Sequence, residues 1–364
     1  MGVEMASLAR EHFRKSIPIC RSNECGHWGS CPKTGNVGCL MLRQKKGQCP
    51  GKIDVHLIGG NGCLADRPLF GAVELPTRVT PIVKPAKPIA PQLTARDVSS
   101  FKANDPGSDT VQVLTCHYNP QRFARLRDTY YEWLPTLGAI ADRLTCYEMV
   151  LDDDQPEIEG SVVIRGTRSA NAMWQKEALL NIGLDRLDSN VKYVVWSDHD
   201  IVFSDPNWLG KAISLVTDAT PAVQLFEEIR YADKDLKHRG SVSSCTTVGR
   251  NRGKCNPGAA WLADAAWLRS VRFPTDHIVG GGDAYWLGKH RRQCTTLPGV
   301  VTHLWHGDMK YRQHSTRESI LRKHQFDPKR DTRIAANGLL EWATGKPQLH
   351  ADVLRFFESR REDG

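Results

Sequence analysis

The segment that most constrains the fold is KYVVWSDHDIVFSDPNWL, residues Lys192–Leu209. A short run of β-branched and aromatic residues, Tyr193–Trp196, ends in three polar residues, and the apolar pattern resumes as Ile201–Phe203. Because the first run is too short for a helix, it predicts a fully buried and parallel strand. The acids that follow would then lie at the carboxyl end of that strand, where open α/β sheets bind their ligands.

The three polar residues, Asp198, His199 and Asp200, suit a divalent cation. Carboxylates are ligands for a hard cation such as Mg²⁺ or Mn²⁺, which also binds phosphate oxygens. An Asp-x-Asp triplet alone arises by chance about once in a chain of this size, and a solvated turn with a capping acid is its alternative. Asp205 followed by Pro206 predicts an N-cap and an immediate helix start. Capping needs only one acid, so the surplus of acids favours the metal site.

The strand, Asp-His-Asp, second strand and Asp-Pro-x-Trp together resemble the metal-binding signature of GT-A-fold glycosyltransferases, which use nucleotide sugars. Three further segments strengthen the resemblance: MWQKEALLNIGLDRL (Met173–Leu187), GGGDAYWL (Gly280–Leu287) and HLWHG (His303–Gly307). The resemblance covers about 60 per cent of the chain, and its C-terminal half is similar to the galactosyltransferase-like members. It implies a Rossmann-like mixed α/β sheet flanked by helices, a UDP-sugar donor, and Mn²⁺ or Mg²⁺.

The resemblance implies a nucleotide site at the ends of the first strands. The strand Val111–Cys116 and the loop after it would touch the nucleotide, and the region around the start of the helix Met173–Leu187 would place cations near the diphosphate or the uracil. A plain turn or an exposed side chain is the alternative in each case. A second strand, Cys146–Leu151, ends in Asp152–Asp154, which is a rival metal site, a base or ribose contact, or a solvated turn. The candidates are Thr115, His117, Asn119, Arg165, Arg168 and Lys176.

The resemblance also implies a cation shell and a catalytic base. Asp200 and His306 would hold the cation with Asp198 assisting, and His303 is the alternative histidine because spacing does not show which one faces inward. Asp283 follows three glycines that let the backbone approach a sugar closely. An inverting transfer needs one carboxylate to take the proton of the acceptor hydroxyl. Asp283 is therefore the candidate base, and an N-cap is its alternative role.

Cysteines are concentrated near the N-terminus, where six of the eleven fall within the first 63 residues. In a reducing cytosol such a cluster binds metal more often than it forms disulfides, and a small domain with so few apolar residues needs a staple. Zinc is predicted, with an iron–sulfur cluster or disulfides as alternatives. The candidate ligands are Cys20, Cys25, Cys31, Cys39, Cys49 and Cys63.

A proline-rich boundary separates this module from the rest. Within Glu74–Gln92, five prolines fall in sixteen residues, which predicts an extended linker.

Further on, Ala222–Glu228 predicts an edge-like strand, and the basic His238–Asn256 predicts a mobile loop that closes over the donor or binds an anionic acceptor. The predicted organisation is a cysteine-rich module (1–73), a linker (74–109), the glycosyltransferase domain (110–335) and a helical tail (336–364).

Composition bounds the location and the partners. The sequence shows no stretch of 18 apolar residues and no signal peptide, so a cytoplasmic location is expected. The formal net charge of +8 favours anionic ligands such as a nucleotide diphosphate, a nucleic acid or an acidic glycan.

The predicted function is metal-dependent sugar transfer to an acceptor hydroxyl. The sequence does not decide among four kinds of acceptor: hydroxymethylated bases in DNA, a saccharide, a lipid-linked sugar and a protein. The alternative is a function without catalysis: a nucleic-acid-binding adaptor whose transferase-like domain is inactive. A two-metal phosphoesterase built on Asp198, Asp200, His303 and His306 is the third hypothesis, and it lacks a second set of bridging acids.

Overall fold

The structure is a computed structural model that describes residues 39–43, 54–59, 62–63, 102–104, 110–248, 255–312 and 316–364, the first three ranges by their backbone alone. The chain divides into two compact units, Met1–Ile89 and Ala90–Gly364. In the first unit, β1 (Cys39–Arg43), β2 (Asp54–Gly59) and β3 (Gly62–Cys63) form an antiparallel sheet. The predicted metal ligands Cys20, Cys25, Cys31 and Cys49 lie outside the described residues, as do the side chains of Cys39 and Cys63 and the proline-rich linker.

The second unit contains fourteen of the described strands, arranged in three sheets. In chain order they are β4 (Val111–Tyr118), β5 (Leu144–Leu151), β6 (Val162–Gly166), β7 (Tyr193–Ser197), β8 (Ile201–Phe203), β9 (Ala222–Gln224), β10 (Glu228–Ala232), β11 (His238–Ser244), β12 (Cys255–Asn256), β13 (Ala260–Asp264), β14 (Cys294–Thr296), β15 (Val300–His303), β16 (Thr332–Ile334) and β17 (Leu340–Trp342).

Helices cover the sheets and connect the strands. The α-helices are α1 (Ala124–Trp133), α2 (Arg168–Asn171), α3 (Lys176–Asp185), α4 (Trp208–Ile213), α5 (Cys245–Val248), α6 (Ala265–Val271), α7 (Gly282–His290), α8 (Arg317–Lys323), α9 (Pro328–Asp331) and α10 (Pro347–Glu358). Three segments, Leu134–Arg143, Arg291–Gln293 and Met309–Arg312, are 3₁₀ helices.

The main sheet has seven strands in the order β14-β9-β13-β7-β4-β5-β6. Strands β7, β4, β5 and β6 are parallel to one another, whereas β13 pairs antiparallel with both β7 and β9. This mixed α/β arrangement agrees with the predicted fold class. The predicted parallel strand at Tyr193–Trp196 is confirmed as β7, whose Val194, Val195 and Trp196 are buried beside β4.

A five-stranded sheet, β12-β11-β10-β15-β8, continues from the end of β7. Asp198–Asp200 is the crossing between the two sheets, because β7 ends at Ser197 and β8 begins at Ile201. Strand β8 pairs antiparallel with β15, and Ile201 lies opposite His303. The crossing therefore brings the acids of the motif next to the C-terminal histidines.

Two predictions in the middle of the chain were wrong. Ala222–Glu228 is not one edge strand, since β9 lies between β13 and β14 and the chain then passes into β10 of the other sheet. His238–Asn256 contains β11, α5 and β12, and a disulfide joins Cys245 to Cys255; residues 249–254 lie outside the described part. Strand β11 has exposed faces, so its backbone pairing with β10 leaves no apolar pattern in the sequence.

Two predictions about helices also need correction. The helix after the motif begins at Trp208 rather than at Pro206, because residues 205–207 form a turn before it. In that turn Asp205 accepts a hydrogen bond from the Asn207 backbone, and its carboxylate also pairs with Lys211 of the helix. Of the predicted helical tail, only Pro347–Glu358 is helical, and Leu340–Trp342 is a strand that pairs with Thr332–Ile334.

The segment 336–364 packs into the second unit rather than extending from it. Leu340, Leu349, Val353, Phe356 and Phe357 share an apolar cluster with Met173, Ile278 and Val279. The end of this segment reaches the carboxyl edge of the main sheet, where the candidate site lies.

Candidate active site

Asp200, His303 and His306 converge on one point at the crossing between the two sheets. Their ligand atoms all lie within 4.8 Å of one another, and the three residues are 6–7 % exposed. The Asp200 Oδ2 atom lies 2.8 Å from His306 Nε2 and 3.3 Å from His303 Nε2. Pairing of β8 with β15 produces this arrangement, and the Leu304 amide donates to the Asp200 carbonyl at 2.8 Å.

Hydrogen bonds orient the rings of both histidines. His303 Nδ1 donates to the Leu304 carbonyl at 2.6 Å, and His306 Nδ1 donates to Glu362 Oε2 at 2.8 Å. A neutral imidazole carries one N–H, so rings that carry it on Nδ1 present two Nε2 lone pairs to the Asp200 carboxylate. Two lone pairs and a carboxylate around one point need a positive charge between them. Partners at the outer ring nitrogen, here the Leu304 carbonyl and Glu362, are what orients metal-ligating histidines.

The charges in the cluster also fit a cation. Burial by itself raises the pKa of the Asp200 carboxyl, but His303 and His306 lower it, and the pKa lies below its ordinary range. Burial lowers the pKa of His303 to about 3, so this imidazole stays neutral. The hydrogen bond from His306 and the charge of Arg360 outweigh the effect of burial on Glu362 and hold its pKa at about 2. An ionised carboxylate and a neutral imidazole are the protonation states that metal binding requires.

Two observations extend the cluster beyond the three ligands. Asp200 Oδ1 is buried and has no hydrogen-bond partner among the described residues, so it is free to accept a further contact. Arg312 Nη2 lies 2.7 Å from His306 Nε2 and 3.2 Å from His303 Nε2, where it supplies part of the positive charge that the lone pairs need. The residues present therefore fit a divalent cation held by one carboxylate and two imidazoles.

Lys176 joins the two other candidate acids. Its Nζ lies 2.7 Å from Asp198 Oδ1 and 3.1 Å from Asp283 Oδ2. Burial alone would lower the pKa of Lys176, but the charges of Asp198 and Asp283 outweigh it. The pKa lies well above its ordinary value, and the ammonium stays protonated. Burial raises the pKa of Asp198 to about 6 against the opposing charge of Lys176. Asp198 thus contacts Lys176 instead of the three-ligand group, and its role as an assisting ligand stays a prediction.

Asp283 lies in the first turn of α7, whose N-cap is Gly281, so Asp283 is not the capping residue. Its carboxylate is packed against Gly258, where an added Cβ would lie 2.5 Å from Asp283 Oδ2. Glu177 is buried beside the same turn, and burial together with the charge of Asp283 raises the pKa of Glu177 to about 8. The carboxylate of Asp283 is therefore held by Lys176 on one side and by the backbone at Gly258 on another.

The predicted nucleotide residues lie at the carboxyl ends of β4 and β5. His117 Nε2 and Asn119 Nδ2 both lie 2.8 Å from Glu157 Oε2, at a crevice that His117, Asn119, Asp154 and Glu157 line together. Thr115 is fully buried, and its hydroxyl donates to the Ser197 carbonyl at 2.8 Å. His117 and Asn119 are buried and bonded to Glu157 at this crevice, whereas Thr115 fastens β4 to the end of β7.

Two arginines hold the acidic triplet after β5. Arg168 donates to the Pro120 carbonyl at 2.7 Å and to Asp154 Oδ2 at 3.3 Å. Arg165 donates to the carbonyls of Asp152 and Asp154. The triplet takes no part in either possible metal-binding group found among the described residues. The second of those groups, His117, Glu148 and Glu157, includes a carboxylate already committed to structure, since Glu148 accepts from two backbone amides and from Ser161.

Sequence reasoning missed several residues of the site. Glu362 and Arg312 contact His306, but they come from a tail and from a 3₁₀ helix whose positions depend on tertiary packing. Glu157 lies in the loop after β5 with no motif around it. Glu177 follows Lys176 in the predicted helix, and its burial beside Asp283 is visible only in three dimensions.

Comparisons with solved structures give distant similarities to nucleotide-sugar transferases. Glucosyl-3-phosphoglycerate synthase from Mycobacterium tuberculosis, solved with Mn²⁺, UDP-glucose and phosphoglyceric acid, is 16 % identical over 58 % of this chain and 76 % of its own, with a TM-score of 0.33. A mannosyltransferase from Pyrobaculum calidifontis, solved with GDP-mannose and Mn²⁺, is 16 % identical over 73 % of this chain and 79 % of its own, with a TM-score of 0.37.

A third similar structure is a mutant of the Drosophila β-1,4-galactosyltransferase 7, solved with manganese, UDP-galactose and xylobiose. It is 9 % identical over 66 % of this chain and 97 % of its own, with a TM-score of 0.36. Values of this size do not assign an activity to the chain. No protein-family model matches the sequence, and no curated protein matches it. Within the described residues, every helix is too short or too polar to cross a membrane.

Proposed function

We propose that the second unit is a metal-dependent glycosyltransferase of the GT-A class. It would move a hexose from a nucleotide diphosphate sugar, with UDP as the expected nucleotide, to an acceptor hydroxyl. The proposal rests on the residues of the site together with the motif resemblance of Asp198–Asp200, Gly280–Leu287 and His303–Gly307.

The observation that carries the proposal is the group formed by Asp200, His303 and His306. One ionised carboxylate and two Nε2 lone pairs are aimed at one point, and outer hydrogen bonds fix the orientation of both imidazoles. A divalent cation held there would neutralise charge on a leaving nucleotide diphosphate. Arg312, beside the same point, would bind phosphate oxygens directly.

The other residues account for the rest of the transfer. Asp283 would take the proton of the acceptor hydroxyl while the acceptor oxygen bonds to the anomeric carbon and the bond from that carbon to the diphosphate oxygen breaks. Lys176, whose Nζ lies 3.1 Å from Asp283 Oδ2, would hold Asp283 in place. His117 and Asn119, at the end of β4, would contact the base or ribose, as the motif resemblance implies.

The transfer is tested by measuring nucleoside diphosphate release from UDP-glucose, UDP-galactose, their N-acetyl forms and GDP-mannose, with Mn²⁺, Mg²⁺ or EDTA. Hydroxymethylated DNA and simple saccharides are supplied as acceptors in separate reactions. We expect turnover that requires the metal and falls at least 100-fold in Asp200→Ala and Asp283→Asn, since both lose charge that only the transition state uses fully.

Asp205→Asn is the matched control, because Asp205 lies in the same segment and its side chain bonds, among the described residues, only to the turn before α4 and to Lys211. Full activity is expected in this variant. Turnover that persists in EDTA and in Asp200→Ala would contradict the proposal. Release of phosphate from simple esters would instead favour the phosphoesterase alternative.

A further inference from the structure

Trp174, Arg317 and Arg360 form a cluster beside the site that the proposed transfer does not use; we call it the arginine–tryptophan cluster. The guanidinium carbon of Arg317 lies 5.9 Å from the centre of the Trp174 ring, and that of Arg360 lies 5.4 Å from it. The ring of Phe357 is parallel to that of Trp174 at 6.4 Å and supports it from α10.

Each member of the cluster has a buried hydrogen-bond donor without a partner. Trp174 Nε1, Arg317 Nε and Arg360 Nη1 are all inaccessible to solvent and have no acceptor within the part of the chain that the structure describes. The hydroxyl of Tyr118, whose ring packs against Phe357, is buried and unpaired in the same way. Native structures pair nearly all such groups, so a group of unpaired donors in one place indicates an acceptor other than the residues that the structure describes.

The charge of the cluster is only partly compensated. Arg360 Nε is paired with Glu362 Oε1 at 2.5 Å, and Glu362 is shared with His306. The guanidinium of Arg317 makes no hydrogen bond or ion pair with another described residue. Burial and the nearby charges of Arg360 and Arg312 together lower the pKa of Arg317 to about 10, against the opposing charges of Asp283 and Glu177. Guanidinium groups in close proximity repel one another unless an anion lies between them.

The position of the cluster separates it from the metal ligands. Glu362 contacts the Nδ1 side of His306, whereas Asp200 lies on the Nε2 side, so Arg360 is on the far side of that imidazole from the cation point. In the other direction the cluster borders Gly280: a Cβ there would lie 3.3 Å from the Trp174 ring and 3.4 Å from the Arg317 guanidinium. Gly280 begins the turn that leads to Asp283.

We infer that the arginine–tryptophan cluster binds an oxyanion carried by the acceptor: a carboxylate, a sulfate ester or a phosphate ester. Arginine pairs with such groups through two parallel N–H donors, and the indole N–H of Trp174 would add a third donor from another direction. This inference rests on the proposed function, because Asp283 marks the acceptor side of the site. It names the acceptor class as an acidic molecule rather than a neutral sugar.

The alternative source of the oxyanion is the diphosphate of the donor. The donor's phosphates must contact the cation, and Arg312 already lies at that point. The arginine–tryptophan cluster lies behind His306 and beside the turn of Asp283, which favours the acceptor. The two sources make opposite predictions about competition with UDP.

The test uses inorganic sulfate as the ligand and the full chain as the protein. Sulfate binding is measured by calorimetry and by the shift in unfolding temperature, once in EDTA and once with saturating Mn²⁺ and UDP. We expect saturable binding in both conditions. Arg317→Gln and Trp174→Phe should weaken it at least 10-fold, the second because phenylalanine keeps the ring and removes the N–H. Arg322→Gln, an exposed arginine on the same helix α8, should bind sulfate as the wild type does.

An acceptor array then compares acidic sugars with their neutral counterparts, and Arg317→Gln should raise KM for the acidic acceptor with little change in kcat. Sulfate binding that is abolished by UDP and Mn²⁺ would assign the cluster to the donor and overturn the inference. Binding that is absent, or unchanged in Arg317→Gln, would overturn it too. If sulfate binds at the cluster but UDP binding shows no need for Mn²⁺, the proposed transferase fails while the oxyanion site stands.

Discussion

His306 is held from both sides of its ring, by Glu362 at Nδ1 and by Asp200 at Nε2. Glu362 is 1 % exposed and ionised, and it also pairs with Arg360. A carboxylate that accepts the outer N–H of a ligating imidazole fixes its orientation and increases its basicity. At the scale of single residues, Glu362 is therefore a positioning residue for the metal site, although it contacts no substrate.

We expect Glu362→Gln to weaken Mn²⁺ binding about 10-fold to 100-fold, because the amide replaces a charge-assisted hydrogen bond with a neutral one. Mn²⁺ titration by calorimetry measures this change. Glu358→Gln is the control, since Glu358 is exposed at the end of α10. Equal Mn²⁺ affinity in Glu362→Gln and wild type would show that Glu362 does not support the metal site.

A second prediction concerns the space around Asp283. In Gly258→Ala the new methyl group would meet Asp283 Oδ2 at 2.5 Å, so the carboxylate must leave its present position. Misplacement of a catalytic group by about 1 Å can cost roughly 100-fold in rate, and we expect a loss of that order in kcat. Gly345→Ala, where no heavy atom lies within 4 Å of the added Cβ, should keep wild-type kcat. Wild-type kcat in Gly258→Ala would remove Asp283 from the proposed mechanism.

The residues predictable from sequence were those that local pattern identifies. Asp198 and Asp200 follow an apolar run, and that run must be a strand whatever the rest of the chain does. The choice between His303 and His306 could not be made from spacing, and the structure brings both to Asp200 because β15 pairs with β8 in a register that spacing does not reveal. Glu362 lies 56 residues from His306, and only packing of the whole unit brings them together.

At the scale of elements, buried strands were easier to predict than exposed ones. Strands β4, β5 and β7 are apolar because they lie in the middle of the main sheet, and all three were predicted. Strand β11, His238–Ser244, has polar side chains because it lies near the edge of the second sheet, where hydrogen bonds between backbones stabilise it. The sequence could not show this, since such pairing places no demand on side chains.

The disulfide between Cys245 and Cys255 stabilises the end of this second sheet, because β12 pairs with β11 over only two residues. A disulfide that closes a loop of this length contributes about 2–3 kcal/mol by limiting the unfolded chain. We expect Cys245→Ala/Cys255→Ala to lose that stability in denaturant unfolding, and dithiothreitol to lower the wild-type stability similarly. A double variant as stable as the wild type, and insensitive to reductant, would contradict this account.

Disulfides are typical of oxidising compartments, and the expected cytoplasmic location stays a prediction.

At the scale of the whole molecule, the candidate site is made where three parts of the second unit meet. The main sheet with its covering helix α3 positions Asp198, which follows β7, and Lys176, which begins α3 and faces Asp283. The second sheet supplies His303, and the segment 336–364 supplies Glu362. The prediction of this segment as a separate tail missed its role, because its apolar residues pack with Met173 and Ile278 from distant parts of the chain. The zinc prediction for the first unit is untested, as its cysteine side chains lie outside the described residues.

The central claim is that a cation held by Asp200, His303 and His306 binds the donor's diphosphate, and calorimetric titration of UDP with and without Mn²⁺ tests it most directly. We expect UDP to bind at least 10-fold more tightly with Mn²⁺, and Asp200→Asn and His306→Gln to lose that gain. His238→Gln, at an exposed histidine, should retain it. UDP affinity that is the same with and without Mn²⁺, or unchanged in Asp200→Asn, would contradict the account.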